Sequence, residues 1–380
     1  MGKTAWIIAG EESGDAYGAR LATELARQCP GMVLRGMGGH AMAAAGVDLR
    51  VDSTELGVVG LVEVFRHLGV FIRVFRALVA QAAAERPDVV VLIDYPGFNL
   101  RFAKRLHGLG IPVVYYVSPQ IWAWKRGRRH RLAAWCQRLL CIFPFEPKYY
   151  ADTDLDVEFV GHPLVEMLRE KRDPGISREP DLVLLLPGSR RGEIDRLLAD
   201  MVGTAADLAR QRPELRFVMP LPRASIAEHA RQRLEGMRAG GKLPDIRIEV
   251  GETHRWMQRA SAGMAASGTV TMEAAILGLP LVSIYRLATL TYLVGRVIIR
   301  HLPYFTIVNL IADSVVFEEF LQDEVRPDRL APALAAILPG GSRRDAVLVA
   351  MASAVAALGG ERQVSACVAR HVLQVAGETR

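Results

Sequence analysis

Leu182-Val183-Leu184-Leu185-Leu186-Pro187-Gly188-Ser189-Arg190-Arg191-Gly192-Glu193 is an apolar run that passes through a glycine turn into two arginines and a helix start at Glu193. An unbroken apolar run with no alternation suits a strand buried on both faces, which is the strand of a parallel sheet. In an open α/β sheet the ligand sits at the carboxyl ends of the strands. The turn therefore lies where a ligand belongs, and its backbone N–H groups and guanidinium forks suit a phosphate or diphosphate. The stretch is mid-chain, where a second nucleotide-binding half would begin.

Outward from it, both halves repeat one scheme. The first opens with a strand at Thr4–Ala9, a loop Gly10-Glu11-Glu12-Ser13-Gly14-Asp15, and a helix over Ala16–Arg27 with Leu21 and Leu25 on one side. Further strands are expected at Val33–Met37, Val89–Ile93, Val113–Val117, Arg138–Ile142 and Glu158–Val160. After a charged, proline-bearing linker at Arg169–Pro180, strands are expected at Leu182–Leu186, Arg216–Met219, Ile246–Val250, Ala262–Ala265 and Leu281–Ile284. Helices are expected around Ile194–Gln211, Arg255–Arg259, Val270–Leu277 and Leu330–Leu338, followed by an amphipathic helical tail over Arg343–Val375. This βαβ alternation predicts an α/β protein of two doubly wound, Rossmann-like domains, residues 1–172 and 173–342, with a helical tail over 343–380.

The chain has 380 residues, enough for two cores, with net charge +6. The excess is local: between Arg101 and Phe145 there are nine Lys or Arg and no Asp or Glu. That run reads either as a solvated basic face or as a surface for phosphorylated substrate or anionic lipid headgroups. Nucleic acid is not expected, since no DNA- or RNA-binding motif accompanies the charge. Cys29, Cys136, Cys141 and Cys367 form no CxxC pair and complete no zinc site, which suits reduced thiols in a cytosolic protein. Met1-Gly2-Lys3-Thr4 passes straight into a strand, so no signal peptide is expected, and no uncharged apolar run reaches membrane-spanning length.

Several residues carry candidate chemistry. Asp94 ends the strand Val89–Ile93, facing the crevice as a general base; the competing role is to cap its own turn. Arg190 is placed to stabilise charge on a leaving diphosphate, whereas an exposed turn arginine is the plainer reading. Ser267-Gly268-Thr269 leads a helix whose N-terminus would face an anion, and Glu273, about one turn in, could accept from ribose hydroxyls; an ordinary capped helix also fits. Gly10–Asp15 is too acidic for pyrophosphate, so Glu12, Ser13 and Asp15 are read as sugar-hydroxyl acceptors or as helix caps. Val58–Leu78, including Val58, Val59, Leu61, Val62, Phe65, Leu68, Phe71 and Phe75, exceeds one apolar stripe and reads as a membrane or acyl-chain surface or as a doubly buried helix. Trp122 and Trp124 lie beside Lys125 and Arg126, as at interfaces, and His162 follows a strand near the linker.

These segments resemble the lipid-A-disaccharide synthase family. The matching runs are AGEESGD at Ala9–Asp15, GVVGLVEV at Gly57–Val64, IDYPGFN at Ile93–Asn99, YYVSPQIWAW at Tyr115–Trp124, IFPFE at Ile142–Glu146, VGHPL at Val160–Leu164, LLPGSRRGE at Leu185–Glu193 and ASGTVTMEAAILGLP at Ala266–Pro280. They are collinear over about three quarters of the chain. The resemblance implies a GT-B architecture, with two Rossmann-like domains facing a cleft, the first for acceptor and membrane and the second for UDP-sugar. It implies inverting transfer of 2,3-diacylglucosamine from UDP to 2,3-diacylglucosamine 1-phosphate, with no metal or other cofactor. It further implies a homodimer with exchanged C-terminal portions, peripheral on the cytoplasmic face of the inner membrane.

Carried onto this chain, the resemblance makes Asp94 and Arg190 catalytic. Gly188, Ser189, Arg190, Ser267, Gly268, Thr269 and Glu273 would hold UDP, and Glu12, Ser13, Asp15, Asn99 and Asn309 the sugars. Two runs depart from the family pattern. A PNLLAG-like segment reads Val308-Asn309-Leu310-Ile311-Ala312-Asp313, without the leading proline or final glycine, and a GGP-like turn reads Gly38-Gly39-His40. Another UDP-sugar GT-B enzyme, such as a peptidoglycan-precursor transferase or a UDP-N-acetylglucosamine 2-epimerase, would share the second-domain features without the VSP-x-x-WAW and IDYPGFN runs. A UDP-sugar-binding protein without turnover is the non-enzyme alternative.

Overall fold

The computed structural model of the chain describes residues 2–53, 68–238, 243–286 and 302–378. Two compact units result, Met1–Pro163 with Glu361–Arg380, and Leu164–Gly360. The first holds β1 (Thr4–Ala9), β2 (Val33–Gly38), β3 (Asp48–Asp52), β4 (Val89–Ile93), β5 (Val113–Tyr116), β6 (Arg138–Cys141) and β7 (Asp156–Phe159). They pair in parallel in the order β3-β2-β1-β4-β5-β6-β7. Helices α1 (Glu12–Gln28), α2 (His40–Ala44), α3 (Leu68–Glu85), α4 (Pro96–Gly108) and α5 (Arg128–Trp135) connect the strands. Every residue of β4 is buried, as are Trp6, Phe102 and Tyr115 around it. Each such large apolar side chain contributes about 1.5–3 kcal/mol by leaving water. Strand order reverses between β1 and β4, whose registered ends Ala9 and Ile93 release Gly10 and Asp94 side by side. That reversal is the switch point where such sheets bind ligands.

The second unit repeats the plan. After α6 (Pro163–Glu170) come β8 (Glu179–Leu186), β9 (Arg216–Leu221), β10 (Ile246–Val250), β11 (Ala260–Ala266), β12 (Leu281–Tyr285) and β13 (Glu318–Leu321), all parallel in the order β10-β9-β8-β11-β12-β13. Its helices are α7 (Arg191–Gln211), α8 (Ala224–Arg238), α9 (Thr253–Arg259), α10 (Thr269–Ile276), α11 (Ile307–Ala312), α12 (Pro327–Ile337) and α13 (Arg344–Ala357). The switch point lies between β8 and β11, where Leu186 registers with Ala265. At the opposite, amino-terminal end of these strands the Arg178 guanidinium donates to the carbonyls of Met257 (3.1 Å), Ala260 (2.5 Å) and Leu277 (2.5 Å).

The C-terminal segment is not one tail. It breaks after α13 at Gly359 and Gly360, both at positive φ, and α14 (Val364–Glu378) returns to the first unit. There Gln28 donates to the Ala366 carbonyl (3.1 Å) and Arg138 to Gln374 Oε1 (2.7 Å). The unit boundary falls at Pro163, ahead of the expected Arg172, and α6 and β8 shorten the expected linker from both ends. Two strands absent from the expectations, β3 and β13, are the sheet edges, where half-exposed charged sequences such as Asp48-Leu49-Arg50-Val51-Asp52 replace apolar runs.

Helix α11 ends on Asp313 in the left-handed region at φ +48°. This is the position at which the family pattern carries glycine, the residue that adopts such an end most readily. Asp313→Val is expected to lower stability by about 1–2 kcal/mol, because a β-branched side chain clashes there. Asp313→Gly should leave stability equal or higher, and urea unfolding of both variants checks this.

Candidate active site

At the first switch point the backbone is forced into an unusual shape. Asp94 and Tyr95 are consecutive non-glycine residues at φ +45° and +46°, and Val117, at the end of β5, is at +69°. Such residues cost about 1–3 kcal/mol each and persist only where neighbours hold them. The Asp94 carbonyl accepts from Asn99 Nδ2 (2.8 Å) and the Tyr115 hydroxyl (2.7 Å), while the Asp94 N–H donates to Tyr116 (2.9 Å). The Tyr95 ring stacks on Phe98 and covers Gly10 so closely that a Cβ there would lie 2.4 Å from the ring. The glycine of the acidic loop is thus required by the turn that carries Asp94.

This turn leaves the Asp94 carboxyl half-buried. Burial and the charge of Glu11 push its pKa up to about 6, against the lowering pull of the Tyr95 N–H and of Arg128. It is largely ionised at neutral pH yet basic enough to take a proton. Behind it, Glu146 is buried, accepts from the N–H groups of Ile142 (3.2 Å) and Phe143 (3.0 Å), and is pushed up to about 8 by burial. Ser118 and Tyr150 share a buried 2.7 Å hydrogen bond. His162, lowered to about 3 by burial, packs beside Tyr17 and Phe143 as a neutral ring. An apolar cavity of about 710 Å³ opens between α3 and α4, lined by Phe71, Phe75, Val79, Tyr95 and Phe98 with arginines at its rim. Val58, Val59, Leu61, Val62 and Phe65 lie outside the described residues, as does the Leu68 side chain.

At the second switch point Gly188 is at φ +114°, and a Cβ on it would meet the Glu193 carboxylate. Glu193 Oε2 accepts from the N–H groups of Ser189 (2.8 Å) and Arg190 (3.1 Å). The loop donors that the sequence offers to a phosphate are therefore occupied by the chain's own carboxylate, an intrahelical cap of α7. Arg190 touches Glu193 at 3.3 Å but is 80% exposed, so its guanidinium is available to a ligand. Opposite, α10 starts at Gly268 with no side-chain cap, and Gly268 and Thr269 are exposed. The ordinary capped helix that the sequence also allowed is not formed here, and the open helix start leaves its dipole able to meet an anion. Glu273 lies 3.5 Å from His254 Nε2 on α9, a partner that no motif in the sequence announces.

Three expected sugar contacts have other work. Asp15 is buried and accepts from the N–H groups of Gly39 (2.7 Å), Ala41 (2.9 Å) and Met42 (3.1 Å), capping α2 from a distance. Asn99 is fully buried beneath the Asp94 turn and also donates to Ile93 (3.1 Å). Asn309, equally buried, accepts from Val316 and Phe317 and donates to the Phe317 carbonyl and to Glu319. Each lacks the exposure a substrate hydroxyl needs. Glu12 and Ser13 remain exposed on the first turn of α1.

The sequence profile described as lipid-A-disaccharide synthetase matches residues 5–371. A lipid-A-disaccharide synthase of Myxococcus xanthus is 39% identical over 362 residues, covering 93% of this chain and 92% of that protein. One of Geobacter metallireducens is 40% identical over 341 residues, covering 87% and 86%. Among solved structures, a UDP-GlcNAc 2-epimerase from Neisseria meningitidis bound to UDP-GlcNAc aligns with TM-score 0.64 at 12% identity, covering 98% of this chain and 100% of that one. MurG of Acinetobacter baumannii aligns at 0.59 and 12%, covering 98% and 99%. These likenesses show the GT-B fold, and the sequence relatives show the lineage. The chain belongs to the lipid-A-disaccharide synthase family, hexosyltransferases of lipid A biosynthesis.

Proposed function

We propose that this protein transfers 2,3-diacylglucosamine from UDP to 2,3-diacylglucosamine 1-phosphate with inversion, giving the β-1,6-linked disaccharide 1-phosphate and UDP. The observation that carries the reading is the half-buried Asp94 carboxylate on its constrained turn at a switch point, with its pKa near 6. The acceptor hydroxyl is too weak an acid to be deprotonated beforehand. Its oxygen bonds to the sugar C1 as the C1–O bond to UDP breaks, the electron pair leaves with UDP, and the proton passes to Asp94. Attack opposite the leaving group converts an α-linked donor into a β-linked product.

In the second unit, exposed Arg190 and the open start of α10 at Ser267, Gly268 and Thr269 suit the charge growing on the departing diphosphate. A diphosphate that displaced the Glu193 carboxylate would also gain the Ser189 and Arg190 N–H groups, in the loop shaped by Gly188. Glu273 is assigned to the ribose, and Glu12 and Ser13 to sugar hydroxyls. The cavity holding Phe71 and Phe75 suits an acyl chain, and the reading places the enzyme as a homodimer, peripheral on the cytoplasmic face of the inner membrane. Among the described residues no helix is long and apolar enough to cross a membrane.

Transfer is expected to rise with pH through about 6 as Asp94 ionises. Asp94→Asn should lose roughly 10²–10⁴-fold in kcat and that inflection with it. Stability should move the other way. The folded carboxyl holds its proton more tightly than the unfolded one, so the stability it contributes is full below about pH 4 and is lost as pH rises through about 6. Asp94→Asn is therefore expected to match the wild type near pH 4 and to exceed it at pH 8. A wild-type rate independent of pH between 5 and 8 would remove Asp94 from the role of base. Arg190→Ala is expected to lower kcat by about 10²–10³-fold, and Arg190→Lys to recover only part, since the planar fork is lost; steady-state kinetics with the UDP donor check both.

A further inference from the structure

Beside the apolar cavity lies a second one of about 500 Å³, lined by Arg101, Lys125, Arg128 and Arg131 together with Gly97. Elsewhere on α5 and β6 the cations are neutralised: Arg129 pairs with Asp152 at 2.7 Å and Arg138 with Asp156 at 2.6 Å. Among the described residues, none of the four cavity cations has a carboxylate within ion-pair distance. Two of them are fixed by one ring, with Lys125 Nζ 4.4 Å and the Arg128 guanidinium 5.0 Å from the Trp124 centroid. A third, Arg101, folds back onto the Gly97 carbonyl at 2.7 Å. Four like charges gathered without an ion-paired carboxylate repel one another, and a multiply charged anion with several acceptor oxygens relieves that repulsion. The first turn of α4 at Pro96 and Gly97 forms another wall, adding the positive end of a helix dipole.

Gly97 and Arg101 line both cavities, so the apolar and basic spaces adjoin. Together they fit an amphiphile with an acyl chain on one side of Arg101 and a phosphate on the other. Asp94 stands three residues before Gly97 and feels the charge of Arg128. We propose that Arg101, Lys125, Arg128 and Arg131 form the subsite for the phosphate of the acylated acceptor. The subsite selects phosphorylated over unphosphorylated monosaccharide and leaves the donor alone. This rests on the transferase reading for the identity of the ligand.

The test is equilibrium titration of the full chain in nonionic micelles with 2,3-diacylglucosamine 1-phosphate and with its dephosphorylated form. The wild type is expected to prefer the phosphorylated ligand by roughly tenfold or more, as charge-assisted contacts allow. Arg128→Gln with Arg131→Gln should erase that preference, while Arg129→Gln, whose side chain is already paired with Asp152, should keep it. Affinity for UDP and for phosphatidylglycerol vesicles should be unchanged in the double variant. A preference retained in the double variant would overturn the proposal. So would a loss that merely tracks weakened vesicle binding, which would assign the cations to bulk lipid headgroups. Turnover is read separately: binding selectivity without product would count against the transferase reading and not against the subsite.

Discussion

The carbonyl oxygen of Asp94 accepts two hydrogen bonds, from Asn99 and Tyr115, and the geometry of the first unit's site depends on them. A strand leaving a parallel sheet would ordinarily relax into a turn without two left-handed residues. Here the paired donors, the Tyr116 carbonyl that receives the Asp94 N–H, and the Tyr95 ring packed over Gly10 hold the chain where it would not otherwise stay. The consequence is chemical. Asp94 is turned to a half-buried position beside Glu11, where desolvation and like charge keep its carboxyl basic. Relaxing the turn would return it toward an ordinary, weaker base.

The second unit solves a different problem with the same topology. Its switch point has an exposed guanidinium, an uncapped helix start and a glycine loop closed on Glu193. Placing a carboxylate in the donors of an anion-binding turn satisfies backbone N–H groups that would otherwise be orphaned. In the proposed reaction an entering diphosphate would compete with Glu193 for them. The basic run of the first unit follows the opposite rule, since among the described residues Arg128 and Arg131 have no ion-paired carboxylate such as those that neutralise Arg129 and Arg138. Among the described residues, these unpaired cations gather around a cavity.

Much of this was legible in the residues. Buried parallel strands announce themselves as apolar runs, so Val89–Ile93 and Leu182–Leu186 were readable as strands, and the crevice rule at their carboxyl ends pointed to Asp94 and Arg190. What escaped was non-local. Asp15, Asn99 and Asn309 sit in motif-like runs and look like ligand contacts, yet their partners are backbone groups and, for Asn309, also the Glu319 carboxylate. For Asp15 these lie 24 and more residues away, beyond any local pattern. The edge strands β3 and β13 carry no apolar signature because only one side of each pairs and half of each is wet. The left-handed pair at Asp94 and Tyr95 had no glycine to mark it, and the His254 partner of Glu273 lies on a separate short helix.

The central claim is that Asp94 serves as the base in sugar transfer from UDP to a phosphorylated acyl-glucosamine. Incubating the protein in detergent micelles with UDP-2,3-diacylglucosamine and 2,3-diacylglucosamine 1-phosphate, and following products by mass spectrometry, tests it most directly. A disaccharide 1-phosphate and UDP are expected from the wild type and neither from Asp94→Ala. Absence of disaccharide from a folded wild type that still binds UDP, across several acyl lengths, would contradict it, as would undiminished product from Asp94→Ala.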